Sequence, residues 1–226
     1  MPQQLGFDLP SRTALDRDAF FVAPCNAVAL GMIETWPNWP GGKLILTGPQ
    51  GAGKTHLTHV WAQTSGATII SAADLVGGMV PELAQNHVAV EDVPDIAGNV
   101  DAQNTLFHLH NLLLAEGRNL LLTGTKAVTD WSITLPDLDS RLRGTTAAAV
   151  DAPDDTLLSA LLVKLLGDRQ LAPKPEVISY LLDRMDRSFA AAIDLVERLD
   201  AASLAQQKPI TRPFAAAVLD KDTPDT

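Results

Sequence analysis

An α/β fold with a parallel sheet, followed by an all-helical C-terminal part, is what this 226-residue sequence predicts. Three observations carry the expectation. Short apolar runs alternate with segments of helical spacing as far as about residue 150. A glycine-rich phosphate-binding motif stands between the first of these runs and the helix after it. From Asp151-Ala152-Pro153 onward the strand pattern stops, and every segment reads as helix.

Taken in order, residues 1–19 are a polar, turn-rich tail whose apolar positions include Leu5, Phe7 and Leu9. Residues 26–35 carry Val28, Leu30, Met32 and Ile33 at helical spacing, until Trp36-Pro37-Asn38-Trp39-Pro40-Gly41-Gly42 breaks the pattern. Lys43-Leu44-Ile45-Leu46-Thr47 is a short buried strand, and residues 55–64 form a helix. Thr68-Ile69-Ile70 is the next strand, and residues 72–83 read as a helix despite Gly77-Gly78. His87-Val88-Ala89-Val90-Glu91-Asp92 is a strand ending in two carboxylates. The helix over 101–116 puts Leu106, Leu109 and Leu113 on one face, with Asp101 placed to cap it and Gly117 to stop it. Asn119-Leu120-Leu121-Leu122-Thr123 and Ala147-Ala148-Ala149-Val150 complete the strands. Strands and helices alternating in this way argue for a parallel sheet covered on both faces. Helices are expected at 154–166, 175–186, 188–205 and 212–219, punctuated by Pro173, Pro175, Pro209 and Pro213. The division is therefore a tail over 1–19, an α/β domain over 20–153 and a helical domain over 154–226.

Gly48-Pro49-Gln50-Gly51-Ala52-Gly53-Lys54-Thr55 fills the G-x-x-x-x-G-K-[ST] template. Its glycines let backbone N–H groups converge on phosphate, and the following helix adds its positive N-terminal end. Lys54 is placed to reach the β- and γ-phosphates of a nucleotide, and the Thr55 hydroxyl to ligate Mg²⁺. Glu91 and Asp92 follow a strand where such proteins keep the Mg²⁺ partner and the group that orients attacking water.

The charge balance restricts partners. The net charge is −10, with 17 basic residues against 27 acidic ones, so strong direct DNA binding, which draws on Lys and Arg, is not expected. Protein partners are. No run of about 18 apolar residues suggests a membrane span. The start of the chain does not read as a signal peptide, and Cys25 is the one cysteine. All three point to the cytoplasm. His108 and His110 stand two apart on a helix and so face different directions. Cys25 is expected to be small and buried near the nucleotide.

Several segments, in this order, resemble the DnaA-related AAA+ family. Gly51-Ala52-Gly53-Lys54-Thr55-His56-Leu57 is similar to its phosphate loop, and Val88-Ala89-Val90-Glu91-Asp92-Val93 with Ile96-Ala97-Gly98 to its acidic strand. Phe21-Val22-Ala23-Pro24-Cys25-Asn26 looks like the segment that lies against the base, implicating Val22 and Asn26. Leu138-Asp139-Ser140-Arg141-Leu142-Arg143-Gly144 resembles the segment bearing the arginine finger, with Arg141 at the matching Ser-Arg step. The resemblance implies a five-stranded AAA+ domain with a small helical lid, binding ADP or ATP with Mg²⁺. Thr55, Glu91 and Asp92 would hold the metal. Gly48, Gly51, Ala52, Gly53, Lys54, His56 and Thr123 would stand around the nucleotide.

The chain ends before any DNA-reading domain and so looks like the Hda group, short regulators related to DnaA. Gln4-Leu5-Gly6-Phe7-Asp8-Leu9 is similar to that group's peptide for the replicative sliding clamp, with Gln4, Leu5, Phe7 and Leu9 as contacts. The partners implied are the clamp and DnaA, and a homo-oligomer is compatible. Three departures stand out. The acidic pair is Glu91-Asp92, where the initiator has two aspartates. Thr123-Gly124-Thr125 puts Thr where relatives tend to have Asp. Ala190 occupies the place of the lid's sensor arginine, with Arg187 one turn earlier as a substitute. Nucleotide binding with weak or no turnover is therefore expected, Arg141 acting on nucleotide held by DnaA. The competing readings are an autonomous AAA+ ATPase of helicase-loader type and a nucleotide-sensing module without catalysis.

Overall fold

The five apolar runs become strands β1 (Lys43–Thr47), β2 (Thr68–Ser71), β3 (Val88–Glu91), β4 (Leu120–Gly124) and β5 (Ala147–Ala149) in the computed structural model, which describes residue 17 and residues 20–220. They form one sheet in the order β2-β3-β4-β1-β5, with every pairing parallel. In β1, Leu44 and Leu46 join one apolar cluster while Ile45 joins another. This follows from the two-residue period of a strand. The first cluster packs Trp61 of α2 (Lys54–Ser65) and Ala29, Leu30 and Ile33 of α1 (Ala27–Glu34) against the sheet. The second takes Leu106, Leu109 and Leu113 of α4 (Val100–Ala115). With both faces covered, the strands read as unbroken apolar runs.

Two local expectations give way. Residues 72–83 are not one helix: after a turn at Ala72–Asp74 and extended backbone at Leu75 and Val76, only α3 (Val80–Leu83) is α-helical. Gly77-Gly78 and Pro81 deny that stretch a continuous hydrogen-bond ladder. Asp101 does not cap α4. The Asn99 side chain accepts the Ala102 N–H at 3.1 Å, and Asp101 lies in the first turn, where its charge suits the helix dipole. At the other end Gly117, at φ +64°, closes α4, with the Arg118 N–H bonded to Leu113 O at 2.8 Å.

Four helices follow: α6 (Asp155–Asp168), α7 (Pro175–Leu182), α8 (Phe189–Gln206) and α9 (Arg212–Leu219). α7 stops a turn before the predicted end at 186, because the chain must turn for Ser188 to cap α8 by accepting the Ala191 N–H at 3.0 Å. Leu158, Leu162, Leu166, Leu181, Leu195 and Leu199 form a third apolar cluster separate from the sheet. Among the described residues, no helix is long and apolar enough to cross a membrane.

One buried amide fixes α5 (Pro136–Arg143), the helix that leads into β5. Gln103 is fully buried on α4, and its Oε1 accepts the N–H groups of Thr134 and Leu135 at 3.0 and 2.9 Å. Its Nε2 donates to Ile96 O at 3.1 Å. Gln103→Leu should leave these backbone groups without partners and lower unfolding free energy by roughly 1–3 kcal/mol. Urea denaturation checks this; an unchanged midpoint would mean that Gln103 does not anchor α5.

Candidate nucleotide-binding site

The phosphate loop leaves the carboxyl end of β1 and enters α2, and two of its glycines are there for steric reasons. Gly48 has φ +150°, and a Cβ would stand 2.0 Å from Val150 O. Gly51 has φ +73°, and a Cβ would stand 2.3 Å from Ser188 Cβ. Only a residue without a side chain fits either position. Gly51 O also accepts the Phe189 N–H at 3.3 Å, which joins the loop directly to the start of α8.

Lys54 is 7% exposed, and its Nζ donates to Gly48 O at 2.7 Å and Pro49 O at 2.9 Å. Burial pulls its ammonium below the usual lysine range, opposed by the nearby carboxylates of Asp92 and Glu91. Lys54 borders a cavity of about 500 Å³ together with Gly51, Gly53, Thr55 and His56. Asp92, Asp95 and Thr125 stand on its acidic side. Phe20 and Phe21 form an apolar wall, with His56 edge-on to Phe20 at 5.0 Å between ring centres. The helical domain supplies the roof: Leu161, Leu165, Phe189, Ala190 and Ile193. Size, apolar lining and a few convergent polar groups suit a nucleotide.

Asn26 lines this cavity and also shapes it. Its Oδ1 accepts the Ala23 N–H at 2.9 Å and its Nδ2 donates to Phe21 O at 2.9 Å, so the side chain holds the turn that carries the aromatic wall. Asp92 is left-handed at φ 55°, and its N–H donates to Thr123 Oγ1 at 3.0 Å. Thr123 is thus buried behind the acidic turn and does not line the cavity. Glu91 does not line it either, yet its buried Oε1 has no hydrogen-bond partner among the described residues. Ala52 is buried beneath the loop, while Val22 is 48% exposed and outside the cavity. Cys25 is half-buried rather than fully buried. Gln4, Leu5, Phe7 and Leu9 lie outside the described residues.

Arg187 faces elsewhere. It pairs with Asp155 at 2.8 and 3.2 Å on an exposed groove of the helical domain and is absent from the phosphate cavity. Among the described residues lining that cavity, Lys54 is the one lysine or arginine. The groups that sequence reading missed are Phe20, Gln50, Asp95, Thr125, Leu161, Leu165, Phe189 and Ile193. Phe20 borders the Phe21–Asn26 segment and carried some signal; the roof residues carried none, since their apolar spacing reads only as core.

Two features fit a nucleoside di- or triphosphate: a glycine cradle that any Cβ would fill, and a buried lysine at its mouth. The orphaned Glu91 oxygen beside the Asp92 turn fits a metal or a polarised water.

Arg141 occupies the last turn of α5 and is exposed, with no ion pair among the described residues. Arg143 is committed instead to Asp139 at 2.7 Å. β5 follows α5 and pairs with β1, with Ala147 opposite Ile45. The end of α5 therefore lies by the amino ends of the strands, where Lys43 feels the Arg141 charge. A five-residue strand spans roughly 16 Å, and the phosphate loop is at its other end.

Residues 155–219 match the family described as Hda, lid domain. The fold is similar to that of domain III of the replication initiation protein DnaA from Thermotoga maritima, at 18% identity and a TM-score of 0.78 over 96% of this chain and all of that one. AMPPCP-bound DnaA from Aquifex aeolicus matches at 22% identity and a TM-score of 0.65, over 80% of this chain and 63% of that chain. A mutant of RuvB from Thermotoga maritima matches at 17% and 0.65, over 89% of this chain and 69% of the other. At such identities the likeness is one of fold, and the fold is the AAA+ one.

Lys54→Ala should weaken ADP binding at least about tenfold, by removing one charge-assisted contact to phosphate. Calorimetry showing unchanged affinity would contradict the assignment of this cavity.

Proposed function

We propose that this chain, whose residues 155–219 match the Hda lid domain and whose fold is like that of DnaA domain III, is a DnaA-related AAA+ regulator that controls replication initiation by promoting hydrolysis of the ATP that DnaA carries. In this reading its own cavity holds ADP or ATP. The carrying observation is the placement of Arg141: exposed, without an ion pair among the described residues, and at the sheet edge opposite its own phosphate loop. A guanidinium there cannot serve the chain's own site but is free to enter a neighbour's, where arginine fingers stabilise transition-state charge.

Within its own cavity Lys54 would meet the phosphates, Thr55 and the acids of the β3 turn would hold Mg²⁺, and the Phe20–Phe21 wall would face the base. Bound Mg²⁺ would neutralise phosphate charge. The roof offers Ala190 where a sensor arginine would stand, and Arg187 is tied to Asp155. Among the described residues no lid cation lines the phosphate cavity, so in this reading the chain binds nucleotide with little turnover of its own. Residues 1–10, through Gln4, Leu5, Phe7 and Leu9, would tether it to the sliding clamp in the cytoplasm.

Arg141→Ala should leave this chain's ADP affinity nearly unchanged while slowing single-turnover hydrolysis of DnaA-bound ATP by a factor on the order of 10³, with clamp loaded on DNA. Lysine at this position should not restore the rate, because an ammonium lacks the planar fork of a guanidinium. Arg143→Ala should have little effect; a loss confined to that variant would move the finger to Arg143. Separately, deleting residues 1–10 should abolish clamp binding and spare folding. Undiminished clamp binding by the truncated chain would refute the tether.

A further inference from the structure

Arg141 has a cationic neighbour that its family segment does not contain. Lys43 opens β1, two residues before Ile45, which pairs with Ala147 just beyond α5. The parallel register therefore brings Lys43 and Arg141 to one edge from 98 positions apart in the chain. Lys43 is half-buried, and its Nζ lies 2.9 Å from Nε2 of the buried His110 on α4.

The imidazole is a fixed acceptor. Burial and then the Lys43 charge push His110 down to about 4, so it is neutral at physiological pH. Its Nδ1 lies 3.3 Å from Asn111 Oδ1, an acceptor, which places the ring proton on Nδ1 and leaves Nε2 to receive the Lys43 ammonium. One of three ammonium protons is thereby used, and two remain.

Among the described residues, no carboxylate forms an ion pair with either of these cations. Of the two acids on the same helix as Arg141, Asp139 is engaged by Arg143 at 2.7 Å, and Asp137, one turn before Arg141, forms no ion pair with it. Among the described residues neither Lys43 nor Arg141 has an ion pair, in a chain of net charge −10. Two like charges at one edge of the sheet, one of them partly desolvated, repel each other until an anion arrives. A single carboxylate would balance one of them; a terminal phosphoryl group, with several charged oxygens, matches both.

We propose that Lys43 is a second phosphate-binding group of this edge: its ammonium, held by His110 Nε2, meets with Arg141 the terminal phosphate of the nucleotide held by the partner AAA+ protein. The proposal rests on Arg141 acting in trans, and it makes the edge a detector of triphosphate over diphosphate in the partner.

The test measures affinity of the full chain for DnaA loaded with AMPPCP or with ADP, using wild type, Lys43→Met, Lys43→Arg and Arg141→Ala. Lys43→Met should weaken binding to the AMPPCP form about tenfold, leave the ADP form within about twofold and leave this chain's own ADP affinity unchanged. Lys43→Arg should retain most of the preference. Equal loss on both forms would overturn the proposal, assigning Lys43 to a carboxylate of the partner or to the fold. Preference lost with Arg141→Ala but kept with Lys43→Met would also overturn it, leaving the trans reading intact. Preference kept in both would overturn the proposal and that reading together.

Discussion

Five strands running the same way put all their carboxyl ends on one edge of the sheet and all their amino ends on the other, and the chemistry of the molecule divides along that line. At the carboxyl edge stand the phosphate loop, the Asp92 turn and Thr123, which Asp92 uses as a hydrogen-bond acceptor. At the amino edge stand Lys43, His110 and the end of α5. Neither set can be moved without changing strand direction. The separation follows from backbone pairing, and it puts the phosphate loop at one end of the sheet and Arg141 at the other.

The helical domain decides what the first site can do. Its docking depends on Gly51, where no Cβ fits beside Ser188, and on the hydrogen bond from the Phe189 N–H to Gly51 O. The start of α8 is thereby joined directly to the phosphate loop. Its cavity-facing residues are apolar, with Ala190 among them, so it encloses without supplying charge. Catalysis of phosphoryl transfer depends chiefly on positioned charge. In the proposed function, a roof of this kind favours retention of nucleotide over its hydrolysis.

Much of this was legible in the sequence, for identifiable reasons. Leu44, Ile45 and Leu46 read as buried because a parallel strand is covered on both faces, and the phosphate loop because its glycines are sterically compelled. Residues 72–83 carry apolar residues at helical spacing, yet Gly77-Gly78 and Pro81 break the backbone ladder. Asn99 and Asp101 are both good capping residues two positions apart, and only the backbone at Asn99 decides which one accepts the Ala102 N–H. Two features of the site left no local trace. Arg187 meets Asp155 across 32 positions, and Leu161, Leu165 and Ile193 turn toward the cavity only through the docking of one domain on another. Likewise the Lys43–His110 pair spans 67 positions, and no periodicity foretells it.

The central claim is that the nucleotide this chain holds and the nucleotide it helps to consume are in different proteins. A double-labelling single turnover tests it most directly. ATP labelled in the γ-phosphate is placed either on this chain or on DnaA, unlabelled ATP on the other, and phosphate release is followed with clamp loaded on DNA. Rapid release only when DnaA carries the label is the predicted result. Rapid release from label placed on this chain would contradict the account and make it an ATPase in its own right.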